Sequence, residues 1–287
     1  MIATGSLRKE YGEVHALDGV DLAVPAGAVY GLVGPNGAGK TTLLSILVGL
    51  RRPTSGSVRV EGRRIGYLPD GPRFDPWLTA REVIELSASL AGTTVGDPMP
   101  FLERVGLGDA ADRRAGGLSR GMLQRLGLAA VAVLEPDVWI LDEPAAALDP
   151  AGRREVLDLV ARLRGRATVL FASHILDDVE RVCDRVGILV GGTLRYQGSL
   201  AALLDDHAGA GWEVELRGDP GPVAERLRGE TWVRTVRVDG SRLTVTATDL
   251  GEGERRLVPI LAAASVPVVS LVPRRVTLED VFLELTR

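Results

Sequence analysis

Residues 32–44 read LVGPNGAGKTTLL. The chain draws nearly all its positive charge from arginine. Of its 34 basic residues only Lys9 and Lys40 are lysines, and Lys40 stands between a glycine and a threonine in this stretch. Upstream, AVYGLVG from Ala28 to Gly34 is a short β-branched apolar run, which predicts a parallel strand buried on both faces. Downstream, KTTLLSILVGL predicts a helix. Strand, Gly34-x-x-x-x-Gly39-Lys40-Thr41, helix is the setting in which backbone N–H groups turn inward around a phosphate, aided by the positive end of the helix. Lysine suits this loop because an ammonium is a compact point charge that fits between β- and γ-phosphates, where arginine's planar fork would crowd the amides. The Thr41 hydroxyl is then placed to meet Mg²⁺.

A second signal is DVWILDEP, Asp137 to Pro144, in which four apolar residues deliver Asp142 and Glu143 to the end of a strand. In an open parallel sheet the ligand crevice lies at the carboxyl ends of the strands, so these acids point where the glycine-rich loop points. Asp142 is a candidate to hold Mg²⁺ through water, and Glu143 to orient or deprotonate an attacking water. Between the two signals, GLSRGMLQRLGLAAVAVL from Gly117 repeats apolar residues at helical spacing, with Met122, Leu126 and Val133 in one row. Ser119 is its candidate N-cap, and the same helix end offers free amides to a second phosphate.

The glycine-rich loop, LSRGM, WILDEP, AALD ending at Asp149 and FASH ending at His174, in this order, resemble the ATPase subunit of an ABC transporter over about residues 1–205. The resemblance implies a P-loop NTPase of the α/β class. It would have a mixed, largely parallel core sheet, an antiparallel β subdomain and a helical subdomain near residues 76–136. ATP and Mg²⁺ are the implied cofactors. The phosphates would lie on Gly34, Asn36, Gly37, Ala38, Gly39, Lys40, Thr41 and Thr42, with Tyr11 against the adenine. The implied metal set is Thr41, Asp142 and Asp70, and the implied catalytic set is Glu143, His174 and Asp70. Ser119, Gly121 and Asp149 would face nucleotide held by a partner subunit. The working unit is then a head-to-tail dimer of two ATPase chains, a homodimer in the simplest case. His174 alone would read equally well as a surface histidine opening a helix.

Two positions depart from the family pattern. Asp70 closes RRIGYLPD, where relatives carry a glutamine that touches Mg²⁺ and links the site to the membrane subunit; the shorter, charged side chain leaves the metal contact open. Arg120 and Met122 replace the middle glycine and final glutamine of the usual LSGGQ, while Ser119 and Gly121 remain. SGSVRVEGRRIGYLPD is also compact, which predicts a trimmed antiparallel subdomain.

At 287 residues the chain has room for a large domain and a small one. Cys183 is its single cysteine, so no internal disulfide can form, and its place in ILDDVERVC reads as a small buried hydrophobe. No leader pattern opens the chain, which points to a reducing, cytoplasmic setting. No apolar run approaches the roughly 18 residues that span a bilayer. The net charge is −4, with no aromatic-interleaved basic cluster to bind nucleic acid.

Near HAGAGW, His207 to Trp212, the character changes. Strand-like WEVELRG, helical PGPVAERLRG, two strands around an Asp239-Gly240 turn, helical GEGERRLVPILAAA and extended VPVVSLVPRR follow. That β-α-β-β-α-β order over 212–287 predicts a small ferredoxin-like domain. It has no catalytic cluster. Its final TLEDVFLELT is similar to the C-terminal extension of drug, antibiotic and ion exporters, and it also reads as a plain amphipathic helix capped by Thr277 and Asp280.

The favoured function is therefore an ATPase that powers export through a separate integral-membrane permease, peripheral at the cytoplasmic face of the membrane. A soluble ABC ATPase acting on ribosomes or DNA is the alternative, though its usual tandem domains, coiled-coil inserts or basic extensions are not visible. A nucleotide-gated module without hydrolysis is a third reading, and Glu143 argues against it.

Overall fold

The computed structural model describes residues 1–206, 211–264, 266–274 and 277–285. It comprises two compact units, Met1–Ala201 and Ala202–Arg287. The sequence-derived junction at HAGAGW falls largely on residues 207–210, which lie outside the described residues.

The first unit opens with β1 (Ile2–Tyr11), β2 (Val14–Val20) and β3 (Ala23–Val24), then β4 (Val29–Val33) and α1 (Lys40–Leu47). β5 (Ser55–Val60) and β6 (Ile65–Leu68) lead to three helices, α2 (Ala80–Leu90), α3 (Met99–Arg104) and α4 (Arg120–Ala132). The chain then alternates β7 (Val138–Asp142), α5 (Pro150–Arg162), β8 (Thr168–Ser173), α6 (Leu176–Val182) and β9 (Arg185–Val190), and reaches β10 (Thr193–Ser199) and the start of α7 (Leu200–Asp206), most of which belongs to the second unit.

Six strands form the core sheet in the order β10-β9-β4-β8-β7-β6. All neighbours are parallel except β10 on β9. β4, β7 and β8 are buried at every residue, as continuous apolar runs covered on both faces must be. Their carboxyl ends are where the loop after β4, Asp142–Glu143 and His174 emerge. The antiparallel sheet joins β1 to β2, β3 and β5. Residues 61–64 alone link β5 to β6, the compaction that the sequence predicts. Leu43 and Leu44 of α1 share one core with Ile2, Leu7 and Leu17 of the antiparallel sheet and with Leu32, Ile140 and Leu170 of the core sheet. Each such leucine contributes about 1.5–3 kcal/mol on burial, so α1 is held from both sides. Cys183, just past α6, is buried, and burial pushes its thiol well above the usual range.

The helices start where local chemistry tells them to. Thr79 and Glu82 close a capping box on α2, the Ser119 hydroxyl accepts from Met122 N at 3.2 Å on α4, and Asp149 caps α5 with Pro150 following.

The second unit runs β11 (Gly211–Leu216), α8 (Gly221–Arg228), β12 (Val233–Asp239), β13 (Arg242–Ala247), α9 (Leu250–Ala262), β14 (Val268–Arg274) and α10 (Leu278–Leu285). Its all-antiparallel sheet, order β12-β13-β11-β14, is the ferredoxin-like arrangement expected from the element order. Trp212 and Trp232 meet edge to face at 6.2 Å in a core with Val214, Leu227, Leu243 and Leu257. Asp280 is buried. It accepts from Thr277 N at 3.0 Å and pairs with Arg237 at 3.0 Å and Arg274 at 3.2 Å, so α10 is tied to two strands as well as capped.

Candidate functional site

The loop leaving β4 closes on itself through Lys40. Its Nζ donates to Gly34 O at 2.6 Å and to Pro35 O at 3.2 Å. The turn depends on Gly37 and Gly39, at φ 81° and 104°; a Cβ on Gly39 would also run into the Ala16 carbonyl. Lys40 is buried and stands 4.0 Å from Glu143 Oε1. Burial lowers its affinity for a proton, while Glu143 and Asp142 work against that and favour the ammonium.

Asp142 ends β7 with no exposed surface, and neither carboxylate oxygen has a hydrogen-bond partner. Burial is the main reason its pKa is raised; Glu143 and Asp70 add to the rise, while the Thr41 hydroxyl and Lys40 oppose it without satisfying either oxygen. A buried carboxylate left so is costly and calls for a cation. Glu143 follows in left-handed backbone, φ 48°, a conformation worth about 1–3 kcal/mol of strain for a side chain of its type. Several contacts hold it there. Its N–H donates to Ala172 O at 3.0 Å, its Oε2 accepts from Ser173 Oγ at 3.5 Å, and His174 Nδ1 stands 2.9 Å from the same oxygen.

Lys40 and Glu143 face a depression of about 220 Å³ whose lining also includes Ala16, Asn36, Gly37, Ala38, Gly39, Thr41, Thr42 and Asp70. Larger cavities of about 420 and 840 Å³ elsewhere in the unit hold none of the expected site residues. With its ammonium, glycine-rich backbone, helix end and paired acids, the small depression has what binding and hydrolysing a polyphosphate requires.

Seven expected residues are not part of its lining: Gly34, Asp142 and His174, whose contacts border it, and four that stand on other parts of the unit. Tyr11 lies exposed at the end of β1, its hydroxyl accepting from Arg51 at 2.8 Å and Lys9 Nζ 4.9 Å from its ring. Ser119 and Gly121 sit at the N-terminal end of α4, and Asp149 caps α5 with Arg125 at 3.6 Å. The two departures from the family pattern meet: Arg120 Nη2 lies 3.6 Å from Asp70 Oδ1, both side chains largely exposed.

Sequence reasoning missed Ser173 and Gln124. Gln124 is buried and donates from Nε2 to Glu143 O at 3.3 Å. The signal was present, because an amide among the apolar positions of a buried helix must find a partner.

Residues 17–146 match the family model described as ABC transporter. YxlF of Bacillus subtilis (strain 168), an ABC transporter ATP-binding protein, is 44% identical over 216 residues, 71% of this chain and 72% of that protein. The daunorubicin resistance ATP-binding protein DrrA3 of Streptomyces coeruleorubidus is 37% identical across 99% of this chain and 95% of its own. Among solved structures, a dimeric ATP-binding cassette in a post-hydrolysis state bound to ADP and Pi superposes with a TM-score of 0.64 at 25% identity, covering 70% of this chain and 99% of that one.

Proposed function

The chain belongs to the ABC transporter family and is an ATP-binding ATPase; from that premise we propose that two copies close head to tail on two ATP molecules and drive export through a separate membrane-spanning partner. The observation that carries the chemistry is buried Lys40 and strained Glu143 facing one depression, with buried, unpartnered Asp142 next to Glu143 in the chain.

In this reading the first unit, taken as residues 1–205, holds the triphosphate on the amides of residues 34–42. Lys40 neutralises the β- and γ-phosphates, and Tyr11 faces the adenine. Asp142 and the Thr41 hydroxyl fit Mg²⁺, since an oxygen-rich pair with an unsatisfied buried carboxylate leaves the remaining positions to phosphate and water. Asp70 is in reach as a third oxygen donor. When bound, the ion neutralises charge developing on the phosphates. Glu143 takes the proton of the water that attacks the γ-phosphorus, and ADP departs as that bond breaks. His174, already on Glu143 through Nδ1, aims the carboxylate and senses the γ-phosphate. Ser119, Gly121 and Asp149, which the fold keeps outside this chain's own depression, serve the nucleotide of the second copy. The dimeric structural neighbour supports that assignment.

Exposed apolar side chains support a separate membrane partner. No helix among the described residues is long and apolar enough to cross a membrane. The helical part, residues 76–136, exposes Trp77, Leu86 and Leu90, and Leu90 also lines the 420 Å³ cavity with Tyr67, Pro72 and Phe74. Apolar groups so grouped mark an interaction surface. The Nod factor export ATP-binding protein I of Burkholderia orbicola (strain AU 1054), 33% identical across 98% of this chain and 95% of its own, supports export as the direction. The protein would then sit peripherally on the cytoplasmic face of the membrane. The test is purification from detergent-solubilised membranes. A stoichiometric multispan partner that stimulates ATP hydrolysis is expected, whereas recovery with ribosomes or DNA and no such partner would overturn the transport reading.

A further inference from the structure

Three residues of α4 spaced i, i+3 and i+4 share one face and all meet the segment that follows β7. A Cβ on Gly121 would stand 3.2 Å from the Ala147 carbonyl. Gln124 donates to the Glu143 carbonyl at 3.3 Å, a carbonyl that also accepts from Ala146 N at 3.3 Å. Arg125 reaches Asp149 at 3.6 Å and Glu155 at 3.3 Å. Gln124 is the buried member of the three, 1% exposed, and a buried amide is costly unless its bond is made. The residue it grips is the one whose left-handed backbone needs outside support.

We propose that Gln124 is a positioning residue for hydrolysis: by holding the Glu143 carbonyl it fixes the strained turn from which the carboxylate is aimed. Ser119 opens the same helix one turn earlier. A shift of α4 when the helix end engages nucleotide on the second copy is therefore passed to this chain's own Glu143, linking the two sites of a dimer. The inference rests on the reading of Glu143 as the base.

The experiment compares steady-state ATP hydrolysis in wild type, Gln124→Met, Glu143→Gln and the double variant. Methionine keeps the length and the packing but removes the donor. We expect kcat of Gln124→Met to fall roughly 10- to 100-fold, the order that a small misplacement of a reacting group costs, with KM for ATP unchanged. In the Glu143→Gln background the same substitution should change the residual rate no further, because the group it positions is already gone. Wild-type kcat in Gln124→Met, or a loss by the same factor in both backgrounds, would overturn the inference and leave Gln124 a packing residue. Wild-type turnover in Glu143→Gln would instead overturn the base assignment beneath it. Should Gln124→Met be insoluble, Gln124→Asn, which withdraws the amide by one methylene, is read by the same four-way comparison.

Discussion

Replacing Asp142 with Asn should stabilise the nucleotide-free protein while removing its response to ligand. Asp142 is fully buried with both oxygens unpartnered, and burial raises its pKa. Whenever Asp142 is ionised the fold therefore carries a charge it does not satisfy. Removing that charge relieves about 1–2 kcal/mol, the lower part of the range for an unpaired buried polar group, since the amide is itself polar. Lys40 retains its two carbonyl contacts and Glu143, so little is lost in exchange. For a unit of this size 1 kcal/mol moves Tm by about 2–4 °C, which puts the expected gain at about 2–8 °C in thermal unfolding with EDTA and no nucleotide. Saturation at about 100 times Kd with Mg²⁺ and ATP should stabilise wild type by about 2.7 kcal/mol, and Asp142→Asn by far less, so the order of the two melting curves reverses. The sign with pH follows from a carboxyl whose folded pKa lies above its unfolded one. The penalty is full above the folded pKa and is relieved as pH falls through it. The advantage of Asp142→Asn should accordingly narrow as the buffer is taken from neutral toward that raised value. A lower Tm for Asp142→Asn in EDTA would refute the reasoning, because it would mean that the charge is satisfied without a cation.

Lys40→Arg should fail at turnover almost as fully as Lys40→Ala, because a guanidinium cannot occupy a buried space in which Nζ lies 2.6 Å from Gly34 O; full ATPase activity in Lys40→Arg would refute that geometric argument. Glu143→Gln should bind ATP yet hydrolyse it roughly 10²–10⁴-fold more slowly, the usual cost of losing a general base. Size exclusion with ATP should then show two chains together, and a monomer at high concentration would count against self-dimerisation. Asp70→Ala should leave folding stability within about 1 kcal/mol of wild type, since its pair with Arg120 is exposed, and should reduce hydrolysis moderately. The larger loss should be in stimulation by the membrane partner; equal stimulation of both proteins would remove Asp70 from coupling.

What could be read from sequence was read through periodicity and punctuation. β4, β7 and β8 announce themselves as short apolar runs because a parallel strand covered on both faces has no polar side to show. Ser119 and Thr277 are legible as caps because capping is a local transaction between neighbours, whereas the cap that Asp149 makes on α5 was not read from the sequence. The order of the second unit was legible because each strand alternates or ends on a turn such as Asp239-Gly240. Contacts that close over long separations leave no such trace. Gln124 was passed over because a helix is found by its apolar row; an amide within it signals that a partner is needed, but not that the partner is the carbonyl 19 residues away. Glu143 at φ 48° was equally hidden, since no glycine or asparagine marks the turn.

Asp70 and Arg120 carry the same lesson further. Read singly, each is a defect, an acid where relatives have a neutral amide and a bulky cation where they have glycine. In the fold they lie 3.6 Å apart, one lining the depression beside Lys40 and the other opening α4, the helix proposed to serve the second copy's nucleotide. Neither change is costly while the other is present: Arg120 offsets the added negative charge beside Asp142 and Glu143, and Asp70 gives the cation a partner when no phosphate is near. Because the pair is exposed and weak, an arriving phosphate or metal ion can separate it at a cost of about 1 kcal/mol or less. What looks in sequence like two losses of family chemistry is in three dimensions one exchangeable contact between the depression and the end of α4.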